Sequence, residues 1–115
     1  MNSIVIAELG EKEKAENVKY WFDLTGDSAF TGSSPETLNA NAAWYLTTVD
    51  APSTNIPSMI AANDYDDTLK RIAVQITGGT TGTSYYVKGK LTVSSGRIYV
   101  VVGKVKIVDK GVQVI

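Results

Sequence analysis

The side chains in this sequence with chemical potential are carboxylates, aromatic rings and one glycine-rich turn. Asn63, Asp64, Asp66 and Asp67 crowd around Tyr65, and oxygen ligands gathered in a short stretch are what a hard cation such as Ca²⁺ requires. The stretch lacks the glycine and the distal glutamate of an EF-hand loop, so it reads as a turn with solvated carboxylates, and no metal is expected. Asp23 with Glu36 or Asp50 would make a glycosidase-type acid pair only if folding brought them within about 5–10 Å across a cleft. Nothing in their spacing predicts that approach. Gly78-Gly79-Thr80-Thr81-Gly82 has the glycines of a phosphate cradle, but no lysine follows the last of them and the next element reads as a strand rather than a helix. It reads as a hairpin turn. Trp21, Trp44, Tyr45 and Tyr86 offer rings with apolar area and a polar edge, the kind of surface on which a sugar stacks.

Composition narrows the chemistry further. The chain has neither Cys nor His, which removes disulfides, thiolate nucleophiles and Cys-ligated zinc together with the commonest general base and metal ligand. No catalytic residue, no cofactor and no enzymatic activity are expected. The formal net charge is -1 with Lys and Arg scattered along the chain, so there is no basic field to displace counterions from nucleic acid. Apolar runs are a few residues long, far short of the roughly 20 needed to cross a bilayer, and Met1–Leu9 has neither a basic start nor a cleavage site. The expectation is a soluble protein made in a cytoplasm, with no nucleic-acid or membrane partner.

The elements that must position these residues are strands. At 115 residues, 43% hydrophobic and 20% charged, the chain has the size and composition of one folded domain. Ile4-Val5-Ile6 reads as a short strand or arm, and Gly10–Asn17 as a solvated connector without an apolar face. From Val18 to Thr25, Val18, Tyr20, Phe22 and Leu24 alternate with Lys19, Trp21, Asp23 and Thr25, as in a half-buried strand. Gly26–Glu36 reads as a loop, and a strand is expected around Trp44 within Asn41–Val49, although Leu38–Ala43 has the composition for a helical turn. Pro52 and Pro57 bracket another loop or edge segment. In the C-terminal half, Ile72, Val74 and Ile76 form one inward row. Tyr85, Val87, Gly89, Leu91 and Val93 form a second, and Tyr99, Val101, Val105 and Ile107 a third, with Gly103 marking a bulge. Short glycine turns join these into a meander.

Strands at this spacing, with no long amphipathic helix, imply an all-β fold: a single immunoglobulin-like antiparallel β-sandwich over residues 18–108, preceded by an arm and connector over 1–17 and followed by an extension over 109–115. The order of certain pieces adds a resemblance. Tyr20-Trp21-Phe22-Asp23-Leu24, a Ser/Thr/Gly loop, the Trp44 strand, Asp64–Asp67, the Val74–Val87 stretch built around Gly78-Gly79-Thr80-Thr81-Gly82-Thr83-Ser84-Tyr85, and Thr92-Val93-Ser94-Ser95-Gly96-Arg97 together resemble the fiber-tail adaptor family of tailed bacteriophages, small proteins with an Ig-like domain. The resemblance spans about Tyr20 to Ile107. The proline-containing segment Asp50–Asp66 and the tail Val108–Ile115 depart from that pattern.

The resemblance implies a non-enzymatic structural protein of the virion, at a tail, neck or fiber junction, that assembles with itself as a homo-oligomer and with other virion proteins. A capsid decoration or cement protein is the alternative in the same class. A carbohydrate-binding or host-recognition module is the alternative outside it. Candidate contact residues follow from the strand phases. Trp21 and Tyr86 lie opposite inward rows, and Trp44 and Tyr85 read as core or corner residues. If Tyr99 and Val101 fill the core, Ile98, Val100 and Val102 form an apolar stripe on the other face. The β-branched ends, Ile4, Val5 and Ile6 and, at the other terminus, Val112 and Val114, have the character of strands that pair with a neighbour's sheet edge.

Overall fold

Strict alternation of apolar and polar residues makes a strand that is buried on one face only, and the C-terminal half folds in that way. The computed structural model describes residues 4–109, with side chains from Ala7 onward. Its strands are β1 (Ile4–Glu13), β2 (Val18–Asp23), β3 (Ala43–Thr48), β4 (Ile60–Asp66), β5 (Arg71–Ile76), β6 (Ser84–Thr92) and β7 (Ile98–Val108). The helical elements among the described residues are two single turns of 3-10 helix, Ser28–Phe30 and Pro57–Met59.

The strands form two sheets, one ordered β1-β7-β6-β3 and the other β2-β5-β4. Every pairing is antiparallel except β1 on β7, which is parallel. Between the sheets lies a single core, with Phe22, Ile72, Val74 and Ile76 from one side and Trp44, Leu46, Val87, Leu91, Val101 and Ile107 from the other. The fold is therefore an all-β sandwich of four strands on three.

Two glycines make room for that core. Gly89 lies opposite Trp44 in register, and a Cβ there would stand 2.7 Å from the indole Cζ3, so only glycine lets the ring lie flat across β6. At Gly103 a Cβ would stand 2.7 Å from Leu9 Cδ1 and 2.9 Å from Phe22 Cζ. The β6–β7 register runs unbroken through Gly103. The bulge expected at Gly103 is therefore absent, and that glycine serves close packing instead.

The bulge sits in β1, where the register on β7 shifts between Glu8 and Gly10 and Gly10 takes φ +76°. This overturns the reading of Gly10–Asn17 as a solvated connector, since β1 continues to Glu13. The extra residue reverses the strand's phase and turns Lys12 inward, where it is 1% exposed. Its ammonium donates to the carbonyls of Glu13 at 2.8 Å, Gly78 at 3.1 Å and Lys14 at 3.4 Å. Burial lowers the Lys12 pKa because desolvation disfavours the cation. Residues 10–13 belong to the sheet, and Lys12 ties them to the β5–β6 turn.

Two further sequence expectations change. Residues 38–42 are not helical; Leu38 and Ala42 are buried, and the Leu38 amide donates to the Asp67 carboxylate at 2.8 Å. Asn63–Asp66, expected as a turn, is the end of β4 in register with Asp66 on Arg71. The turn begins after it.

Candidate contact surface

The outer face of the four-stranded sheet is assembled by register. With Tyr99, Val101, Gly103, Val105 and Ile107 buried, β7 turns Ile98, Val100, Val102, Lys104 and Lys106 to the other side. The same parity on β6 leaves Tyr86, Lys88, Lys90 and Thr92 facing outward. Pairing sets these in rows. Val102 lies beside Lys88 and Lys88 beside Tyr45, while Val100 lies beside Lys90 and Lys90 beside Ala43. Tyr86 stands between Lys104 and Thr47, and Ile98 stands opposite Thr92. On the β1 side the backbone partners of Val100, Val101 and Val102 are Ile4, Val5 and Ile6, so the N-terminal run pairs with this part of β7 at the sheet edge.

This face divides into two halves. Its β1–β7 half carries the apolar stripe, and each of Ile98, Val100 and Val102 is half-buried between neighbouring strands. Its β6–β3 half carries Lys88, Lys90, Tyr86 and Tyr45, and Tyr45 is 44% exposed. Glu8 is in register with Lys104 and Glu11 with Lys106, so β1 sets carboxylates beside two of the four lysines. Lys88 and Lys90 have valines and a β3 neighbour on either side, and among the described residues neither forms an ion pair.

The outer face of the three-stranded sheet differs in kind. Trp21 is half-buried there, with the Arg71 guanidinium 4.0 Å and the Lys19 ammonium 4.7 Å from its ring. Both cations also meet acids across the sheet. Lys19 pairs with Asp64 at 2.9 Å and Arg71 with Asp66 at 3.6 Å. Hydrogen bonding from Lys19 lowers the Asp64 pKa, and bonds from the Thr25 hydroxyl and amide lower that of Asp23. At the turn after β4, Lys70 holds Asp67 at 2.6 Å and lowers its pKa in the same way. Indole, cations and carboxylates here contact one another, and the buried Arg71 Nε is left without a hydrogen-bond partner among the described residues.

The remaining sequence candidates fall as follows. Trp44 is a core residue against Phe22, their ring centres 5.5 Å apart. Tyr85 is buried, and its hydroxyl accepts from the Thr80 amide at 2.9 Å. Trp21 and Tyr86 lie on opposite outer faces, so no single stacking platform contains both. Glu36 accepts from the Ser95 hydroxyl at 2.9 Å, and Asp23 is taken up by Thr25. Among the described residues no group of three or more acidic, His or Cys side chains is placed to hold a metal. Val112 and Val114 lie outside the described residues, and so do the side chains of Ile4, Val5 and Ile6.

Sequence reasoning missed the buried Lys12 and the lysine pair beside Tyr45. Gly10, between the strand-like Ile4–Leu9 and the charged residues that follow, was the available signal for the first. The second follows once the β3–β6 register is known, because Tyr45 and Lys88 are far apart in sequence.

No family model matches this chain, and a search of curated proteins finds no relative of it. No helix among the described residues is long and apolar enough to cross a membrane.

Proposed function

We propose that this chain is an immunoglobulin-like sandwich serving as a structural protein of a tailed-phage virion, at a tail, neck or fiber junction, and that it works by holding protein surfaces together. Three features support the Ig-like reading. The sheet order β2-β5-β4 agrees with the B-E-D order of such sandwiches, and β7-β6-β3 with their G-F-C order. The buried Trp44 sits on β3, the strand that carries the core tryptophan in antibody domains. Tyr85, at the start of β6, binds back to the backbone of the preceding turn, as a tyrosine corner does.

The observation that carries the contact role is the half-buried apolar row Ile98, Val100 and Val102 on β7, beside the β1 edge strand on an otherwise polar face. In this reading the sandwich is a rigid unit, and the β1–β7 half of the face joins copies into a closed homo-oligomer. The virion placement rests on the ordered motifs from Tyr20 to Ile107. Two experiments test it. Light scattering after size exclusion, at two concentrations, is expected to give one discrete oligomeric mass, and monomer at both would overturn the joint. Gold-labelled antibody against the chain is expected to decorate tails or tail junctions of the phage that encodes it. Unlabelled particles would overturn the placement.

A further inference from the structure

We infer that the β6–β3 half of the same face, centred on Lys88, Lys90 and Tyr45, docks an acidic surface of a different protein; this rests on the contact role proposed above. The inference comes from where the chain's own acids lie. Asp64, Asp66 and Asp67 are held by Lys19, Arg71 and Lys70 on or beside the other sheet, and Glu8 and Glu11 stand in register with Lys104 and Lys106. Lys88 and Lys90 are left with apolar neighbours on β7, with Tyr45 and Ala43 on β3, and with no ion pair among the described residues.

Two like charges two residues apart on one strand repel each other, and a surface of opposite sign relieves that repulsion on contact. The β1–β7 half is the joint between copies in the reading above, which leaves this half to a different protein. Tyr45 supplies what the lysines lack, an exposed ring beside them that loses little rotamer freedom on burial. The complementary partner therefore carries carboxylates around an apolar centre, and its acids take the place of the counterions that solvate Lys88 and Lys90.

The experiment uses the full chain with poly-L-glutamate as the probe and a single-stranded oligonucleotide as the counter-probe, both titrated at low and at moderate salt. Poly-L-glutamate is expected to bind, more weakly as salt rises, and Lys88→Glu/Lys90→Glu is expected to weaken it by about tenfold or more. Lys88→Gln/Lys90→Gln is expected to fall between that variant and the unmodified chain, and a wild-type circular dichroism spectrum for both establishes that they fold. Absence of poly-L-glutamate binding, equal binding by the variants, or tighter binding of the oligonucleotide would each overturn the inference. The same variants are expected to keep the native mass of the unmodified chain. If charge reversal dissociates the oligomer, Lys88 and Lys90 belong to the joint between copies and the inference fails while the contact role stands.

Discussion

The two outer faces of this sandwich are built from the same kinds of residue and have opposite characters. On the three-stranded sheet, Trp21 lies under Arg71 and Lys19, and those cations are in turn held by Asp66 and Asp64. On the four-stranded sheet, Tyr45, Tyr86, Lys88 and Lys90 sit beside one another with no acid between them, next to an apolar stripe. Composition does not separate the faces. What separates them is how their cations are met: on one sheet Lys19 and Arg71 reach Asp64 and Asp66, and on the other Lys88 and Lys90 lie beside valine, tyrosine and alanine. A face whose charges are satisfied internally gains nothing from a partner, whereas one with unmatched cations and half-buried valines does.

Changes in the core that both faces share have the largest expected effect. Leu46 is fully buried, and Leu46→Ala should cost about 2–5 kcal/mol in denaturant unfolding, through lost burial and the cavity left behind. Gly89→Ala should cost about 1–3 kcal/mol, because its methyl meets the Trp44 ring and one of the two must shift. Both changes should harm the two faces alike.

The next effects separate the faces. Trp21→Ala removes a ring held by two cations and should cost about 1–2 kcal/mol. Lys88→Glu/Lys90→Glu should leave stability within about 0.5 kcal/mol, as befits surface side chains, one half-buried and one exposed, that hold no ion pair among the described residues. Equal losses from the two substitutions would erase the distinction between a closed face and an open one.

These outcomes depend on features that the sequence displayed unevenly. The inward rows of β5, β6 and β7 were legible because each alternates with period two, so burial on one side leaves no choice of phase. The same alternation placed Trp21, Tyr86, Ile98, Val100 and Val102 on outer faces. The first strand was legible only to Ile6. Its continuation is charged, and a lone lysine on the inner side is intelligible only once the bulge at Gly10 reverses the phase and the carbonyls of Glu13, Lys14 and Gly78 converge on it. The Asp64–Asp67 stretch had turn composition, and pairing with β5 overrode it as far as Asp66, since Lys19 and Arg71 make the Asp64 and Asp66 carboxylates favourable on a strand. Neighbours across strands, such as Tyr45 and Lys88, are fixed by long-range register and were beyond local reading.

The smallest effects are in the pH dependence of stability, and they too divide by location. Asp23, Asp64 and Asp67 have pKa values below the ordinary carboxylate range in the folded chain, so the unfolded chain binds protons first as acid is added. Their contribution is present above the ordinary range and is lost as pH falls through the lowered values. Asp64→Asn should make the acid side of a urea-midpoint profile shallower. Lys12 has the opposite sense. Its folded pKa is lowered, so in the alkaline window between that value and the ordinary lysine value the unfolded chain holds more protons and stability rises with pH. Lys12→Met should abolish that rise, and an unchanged alkaline profile would mean the ammonium is not held in the core.

The most direct test of the open face is the native mass of the unmodified chain beside Val100→Asp/Val102→Asp, measured by light scattering at matched concentrations with the fold checked by circular dichroism. A discrete oligomer for the first and a folded monomer for the second is the predicted result. A folded variant with the mass of the unmodified chain would contradict the assignment of the β1–β7 half of this face as the joint.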